Sequence, residues 1–91
     1  MTTDTERFPT IITEFAGHPI GDLARQFGTP VYVYDAAKIV ARINDLSEFD
    51  TIRYAQKACS NLAVLDLMRR HGVVVDAVSA GEVRRALAAG F

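Results

Sequence analysis

The second half of the chain alternates twice between a β-rich run and an amphipathic helix, with very short connections. TIRYAQKA and VVVDAV are the strand candidates, and each is followed by a helix candidate, SNLAVLDLMRRHG and SAGEVRRALAAGF. Strands joined by a crossover helix run parallel in one sheet. The pattern therefore predicts an α/β fold, either an open doubly wound sheet or a (β/α)8 barrel of the TIM type. Local pattern does not separate these two architectures.

Local signals support these elements. Ser60 or Asn61 is a suitable N-cap for the first helix, and Ser79 and Glu82 have the spacing of a capping box at the start of the second. VVVDAV is almost continuously apolar and β-branched, which predicts a strand covered on both faces.

The first half is less regular. HPIGDLARQFGTP predicts a short helix that ends at Gly28, and PVYVYD, residues 30–35, predicts a strand. AAKIVARINDLSEF predicts a further helix, because Ile39, Ile43 and Leu46 share one helical face.

Two strands are too few to complete either an open doubly wound sheet or a barrel, and a barrel takes about 250 residues. The chain has 91 residues and stops directly after a helix, where a third strand would follow. We therefore expect it to be the beginning of a larger protein.

Composition argues against several classes of partner. The net charge is −1, which gives no electrostatic reason to expect nucleic acid or an anionic membrane. The apolar runs are shorter than the ~20 residues of a membrane span, and no secretory signal is evident. Cys59 is the single cysteine, and with two scattered histidines it forms no metal-site spacing. We expect a soluble, cytoplasmic chain that needs no metal.

Lys57 is the first candidate for chemistry. It ends an apolar strand candidate and is followed at once by small and polar residues. Ligands of α/β proteins meet the carboxyl ends of parallel strands, so an amine at this point can face a substrate or cofactor. Burial or a nearby cation would favour the neutral amine, which attacks carbonyl carbon. The alternative is a strand-end lysine that only extends into water.

Asp76 is the second candidate, because it interrupts a strand that otherwise reads as buried. It lies near the carboxyl end of its strand, so a pair with Lys57 at a strand-end cleft is one interpretation, and a loop-facing carboxylate is the other. The capping box accounts for Glu82, and a small residue in a tight turn accounts for Cys59.

GTPVYVYD, YAQKACSN and VDAVSAGEVRRALAAGF together resemble the amino-terminal part of the pyridoxal-phosphate-dependent decarboxylases with an alanine-racemase-like barrel. The resemblance runs from Gly28 to Phe91, about two thirds of the chain. Many members of that family read Y-A-x-K-A-N-x-N, so Cys59 departs from the common asparagine. The segment AQKACSN resembles the corresponding motif in the branch of the family that acts on meso-diaminopimelate.

The resemblance implies a function and a domain organisation. Lys57 matches the lysine that bonds covalently to pyridoxal 5'-phosphate, and Asp76 matches an acidic position close to that cofactor. Residues 1–35 would lead in from a second, β-rich domain, and residues 36–91 would be the first βα units of the cofactor-binding barrel. The family's phosphate-binding loop, its acid for the pyridine nitrogen and the residues lent across its dimer have no counterpart in this sequence.

The implied reaction is decarboxylation of meso-diaminopimelate to L-lysine and carbon dioxide by a homodimeric enzyme, of which this chain alone would be inactive. Two alternatives stay open at this point. One is a sister decarboxylase that acts on ornithine or arginine. The other is a non-catalytic carrier of pyridoxal phosphate or a regulatory remnant.

Overall fold

A computed structural model describes residues 11–91 of the chain. The described residues form two compact units, one that ends at Asp35 and one that spans Ala36–Phe91. The first ten residues of the predicted lead-in segment lie outside the described residues. Within residues 11–91, no helix has the length and apolar character needed to cross a membrane.

The first unit begins with a small antiparallel hairpin. Strands β1 (Glu14–Phe15) and β2 (His18–Pro19) pair with Phe15 opposite His18. Helix α1 (Ile20–Phe27) follows directly and ends at Gly28, as the sequence predicts. Gly28 has a φ of 81°, a conformation that glycine adopts at no steric cost.

The predicted strand at residues 30–35 is wrong for the described part of the chain. Residues 31–35 belong to no helix or strand there, and the Tyr32 side chain is 89% exposed. β-branched and aromatic residues favour a strand but do not suffice to form one, because a strand also needs a neighbouring strand to complete its hydrogen-bond ladder. No segment of residues 11–91 pairs with this one as a strand.

The second unit contains the predicted strand–helix alternation, preceded by the predicted helix. Its elements are α2 (Ala36–Asp45), β3 (Arg53–Ala55), α3 (Leu62–Arg70), β4 (Val74–Asp76) and α4 (Ala80–Ala88). Strands β3 and β4 are parallel, and Arg53 pairs with Val74, Tyr54 with Val75 and Ala55 with Asp76. The α/β interpretation is therefore confirmed at the level of this two-stranded parallel unit.

The helix caps of this unit follow the sequence closely. Asn61 is the N-cap of α3, and its Oδ1 accepts hydrogen bonds from the backbone N–H groups of Ala63 (3.0 Å) and Val64 (3.2 Å). Ser79 caps α4, because its Oγ accepts from the Glu82 N–H at 3.1 Å. The Glu82 carboxylate accepts from the N–H of Val78, one residue before the N-cap. Both helices thus begin where their caps predict.

The core of the described residues lies between the parallel strands and the two helices that follow them. Its buried apolar side chains are Val64, Leu65, Val73, Ala86 and Ala89. The prediction that VVVDAV is covered on both faces is wrong in this chain, since Val74 is 39% exposed and Val78 is 71% exposed. The register partners Arg53 and Val74, and Ala55 and Asp76, are exposed, whereas Tyr54 and Val75 between them are partly buried, so one face of the pair is open.

Candidate functional site

Lys57 lies on a single turn of 3-10 helix, Gln56–Ala58, which begins where β3 ends. The predicted strand TIRYAQKA is therefore shorter than expected, and its last residues form this turn. The Cys59 N–H donates to the Gln56 carbonyl at 3.1 Å and closes the turn. Lys57 is exposed, as are Arg53 and Ala55, the residues that precede it by four and by two.

Asp76 is the last residue of β4 and is also exposed. Ala55 is its register partner, so the two residues point to the same face of the parallel pair. Lys57 follows Ala55 by two residues, which brings the amine and the carboxylate to the carboxyl-terminal edge of the two strands. Among the described residues, no ion pair joins Lys57 to Asp76. The structure thus brings the two candidates to one edge and leaves the predicted pair unformed.

The segment that carries Lys57, residues 56–61, is here called the lysine loop. The Tyr54 hydroxyl donates to the Cys59 carbonyl at 2.7 Å. The Arg85 Nε, from α4, donates to the Ser60 carbonyl at 2.8 Å. Burial, and secondarily the negative charge of a Cys59 thiolate, raises the pKa of the Tyr54 hydroxyl above its ordinary value of 10.0, which extends to higher pH the range in which this hydroxyl can donate. The backbone of the loop is thus fixed from two sides.

Gln56 makes a third attachment and is the residue that the sequence analysis missed. Its side chain is fully buried, and its Nε2 donates to the Glu82 carbonyl of α4 at 2.9 Å. The alternation of β3, continued by one residue at each end, was the available signal: Ile52, Tyr54 and Gln56 are at least partly buried, whereas Arg53 and Ala55 between them are exposed. A polar residue on the covered face of a strand needs a partner there.

The remaining candidates have structural positions. Glu82 acts at the beginning of α4: its N–H donates to the Ser79 Oγ, as the capping box predicts, and its carboxylate accepts from the Val78 N–H instead of from that of the N-cap Ser79. Cys59 is half-buried in the lysine loop and supplies both its N–H and its carbonyl to the bonds that shape the loop.

This arrangement suits one kind of chemistry. A primary amine stands exposed at the carboxyl ends of two parallel strands, on a loop whose backbone is fixed by three side chains. Such an amine can form a covalent imine with an aldehyde carbon that reaches the open face. The exposed amine, the fixed loop and the nearby Asp76 carboxylate fit a pyridoxal group.

Comparison with known proteins also indicates a pyridoxal-binding domain. The family model described as pyridoxal-dependent decarboxylase, pyridoxal binding domain, matches residues 36–91. The chain is 60% identical over 75 residues to diaminopimelate decarboxylase of Streptomyces coelicolor, covering 82% of this chain and 17% of that protein. It is 52% identical over 79 residues to diaminopimelate decarboxylase of Escherichia coli K12, covering 87% of this chain and 19% of that protein.

A solved structure extends the likeness to three dimensions. The crystal structure of a diaminopimelate decarboxylase superposes with a TM-score of 0.75 at 58% identity, covering 76% of this chain and 16% of that one. The chain therefore spans less than a fifth of the length of these relatives. The matched family model covers more than half of the chain, including Lys57 and Asp76. The chain belongs to the pyridoxal-dependent decarboxylases, and pyridoxal phosphate is the cofactor that this membership implies.

Proposed function

We propose that the complete protein carrying this chain decarboxylates meso-2,6-diaminopimelate to L-lysine and carbon dioxide, with pyridoxal phosphate bonded to Lys57. The observation that carries the proposal is the exposed Lys57 amine at the carboxyl-terminal edge of the parallel β3–β4 pair. The choice of substrate is supported by two relatives named diaminopimelate decarboxylase, at 60% and 52% identity.

The proposal includes an architecture. Residues 36–91 supply the first βα units of a (β/α)8 barrel, and residues 1–35 lead in from a second domain. The parallel register of β3 and β4 supports an α/β architecture, and the likeness to a diaminopimelate decarboxylase structure at 58% identity supports the barrel form of it. The complete protein acts in the cytoplasm as a homodimer.

The residues of this chain have separate roles in the proposed reaction. Lys57 would hold the cofactor through its Nζ, and the same Nζ, when free, could hold or return a proton. Asp76, at the same edge, adjusts the charge around this amine. When bound, pyridoxal phosphate supplies an electron sink for the carbanion that remains after carbon dioxide leaves. The lysine loop keeps the amine in place through bonds from Tyr54 and Arg85.

Substrate specificity gives the proposal its test. Diaminopimelate has a second carboxylate that ornithine and arginine lack, and a site built for it rejects substrates that leave its donors unpaired. Carbon dioxide release from diaminopimelate, lysine, ornithine and arginine should be measured at equal concentration with the complete protein. We expect diaminopimelate to be preferred. Preference for ornithine or arginine would indicate a sister decarboxylase, and no turnover with cofactor still bound would indicate a carrier.

The same preparation tests the attachment site. Borohydride reduction of the loaded protein should fix the pyridoxal group to Lys57, as located by peptide mass mapping. Lys57→Ala should remove the visible absorption of the bound group. Lys38→Ala is the matched control, because Lys38 is the other lysine of the chain and lies on α2. A label found on Lys38 would show that the proposed attachment site is wrong.

A further inference from the structure

Among residues 11–91, Gln56 is the one polar residue that is buried, and it is 0% exposed. It directly precedes Lys57 in the 3-10 turn. Burying an amide side chain is unfavourable unless its polar atoms find partners. A glutamine at this point therefore calls for a physical reason.

Two hydrogen bonds of Gln56 act on the turn that carries Lys57. The side-chain Nε2 donates to the Glu82 carbonyl in the first turn of α4, 26 residues along the chain, at 2.9 Å. The backbone carbonyl of Gln56 accepts from the Cys59 N–H at 3.1 Å and closes the turn. Lys57 lies between these two attachments, so the direction in which its side chain leaves the backbone depends on both.

Stability alone does not explain the glutamine. Its Oε1 is buried and has no hydrogen-bond partner among the described residues, which is unfavourable for folding. An apolar side chain of similar length, such as methionine, would fill the same space without an unpaired acceptor. What methionine cannot supply is the N–H that ties the turn to α4.

We propose that Gln56 is a positioning residue, whose amide holds the Lys57 turn against α4 so that the Lys57 amine stays at the open edge of β3 and β4. This inference rests on the proposed function, in which that amine carries the pyridoxal group. It concerns a residue on the covered face of the strand, away from the face that meets the cofactor.

The test compares two variants of the complete protein. Gln56→Met keeps the length of the side chain and removes its donor. Arg69→Met is the matched control, because the Arg69 Nε also donates to a carbonyl at the other end of α4, that of Ala89, at 3.1 Å. Three quantities are measured: amide hydrogen exchange of the cofactor-free lysine loop, the Kd for pyridoxal phosphate, and the pH at which the visible absorption of the bound group changes.

We expect Gln56→Met to raise exchange at the Cys59 amide, whose N–H closes the turn, and to weaken pyridoxal phosphate binding by about tenfold, since a mobile amine must be ordered on binding. The pH midpoint of the visible absorption should shift, and the thermal midpoint should not fall. Arg69→Met should lower the thermal midpoint and leave loop exchange, Kd and pH midpoint as in the wild type.

A second variant guards against misfolding of the first. Gln56→Glu keeps the shape of the side chain but can donate to the Glu82 carbonyl only when its carboxyl is protonated. Its absorption spectrum should therefore return towards that of the wild type as the pH falls. If Gln56→Met has the same loop exchange, Kd and pH midpoint as the wild type, the inference about Gln56 is wrong. The proposed function is unaffected in that case, provided that borohydride still labels Lys57. Absence of a label at Lys57 in the wild type would overturn the proposed function as well.

Discussion

At the scale of single residues, Cys59 contributes to the site through its backbone. Its N–H donates to the Gln56 carbonyl, and its carbonyl accepts from the Tyr54 hydroxyl. Neither bond depends on the thiol. A residue with another small side chain can therefore preserve the lysine loop, provided that it keeps the backbone N–H.

We expect Cys59→Asn, which introduces the residue common in the family, to keep turnover within about tenfold, or ~1.4 kcal/mol of barrier. The measurement is kcat with diaminopimelate in the complete protein. Cys59→Pro is the contrast, since proline lacks the N–H that closes the turn, and we expect a much larger loss. A fall of several orders of magnitude in Cys59→Asn would instead give the thiol a chemical role.

The residues of the site differ in how far the sequence predicts them. Lys57 could be predicted because its position after a strand and its surrounding motif are both local. For Gln56, alternation along the strand indicates only which side the residue faces, because its burial depends on α4 and its partner Glu82 is 26 residues away. The predicted pairing of Lys57 with Asp76 depended on distances in three dimensions, which strand order alone does not give. Sequence thus locates the proposed reactive group more readily than the side chains that hold its loop.

At the scale of elements, helix α3 is stabilised at both ends by local interactions. Asn61 caps its beginning, and Asp66 forms ion pairs with Arg69 and Arg70 in its last turns. The hydrogen bond from Arg69, together with the charge of both arginines, lowers the pKa of the Asp66 carboxyl. Because that pKa is lowered in the folded state, the contribution of Asp66 is present at neutral pH and is lost as the pH falls through its folded pKa.

Removing the N-cap should loosen the start of α3. Asn61→Ala deletes the acceptor for the Ala63 and Val64 N–H groups, and we expect a cost of about 1 kcal/mol. Hydrogen exchange of these amides in the complete protein measures the change. Asn61→Asp is the control, because its carboxylate accepts the same bonds at a helix N-terminus. Equal protection in Asn61→Ala and the wild type would show that packing alone fixes this helix end.

Helices and strands also differ in what local sequence can specify. The caps of α3 and α4 could be predicted because every group involved lies within a few residues. Residues 30–35 have the composition of a strand and form none among the described residues, because strand pairing depends on a distant neighbour. The predicted order strand–helix–strand–helix is confirmed for β3 to α4, because α3 returns the chain so that β4 lies parallel beside β3.

At the scale of the whole molecule, the chain presents much apolar surface. Val78 is 71% exposed and Leu87 is 63% exposed, and the open face of the parallel pair adds Val74. A cavity of about 330 Å³, lined mainly by apolar side chains of α2, β3 and neighbouring residues, lies in the second unit. The two-stranded sheet also has unpaired backbone groups along both edges. Exposed apolar faces and open strand edges favour association with another surface.

We therefore expect the isolated 91-residue chain to unfold without a sharp cooperative transition, and to bind a hydrophobic dye or aggregate. The physical reason is that the second unit buries only five apolar side chains in its core and leaves one face of its sheet uncovered. Differential scanning calorimetry and sedimentation measure the two properties.

The complete protein is the control and should unfold sharply. Leu87→Glu should reduce aggregation of the isolated chain without sharpening its transition, because it removes exposed apolar surface but adds no core. A sharp transition of a monomeric 91-residue chain would show that its small core is sufficient.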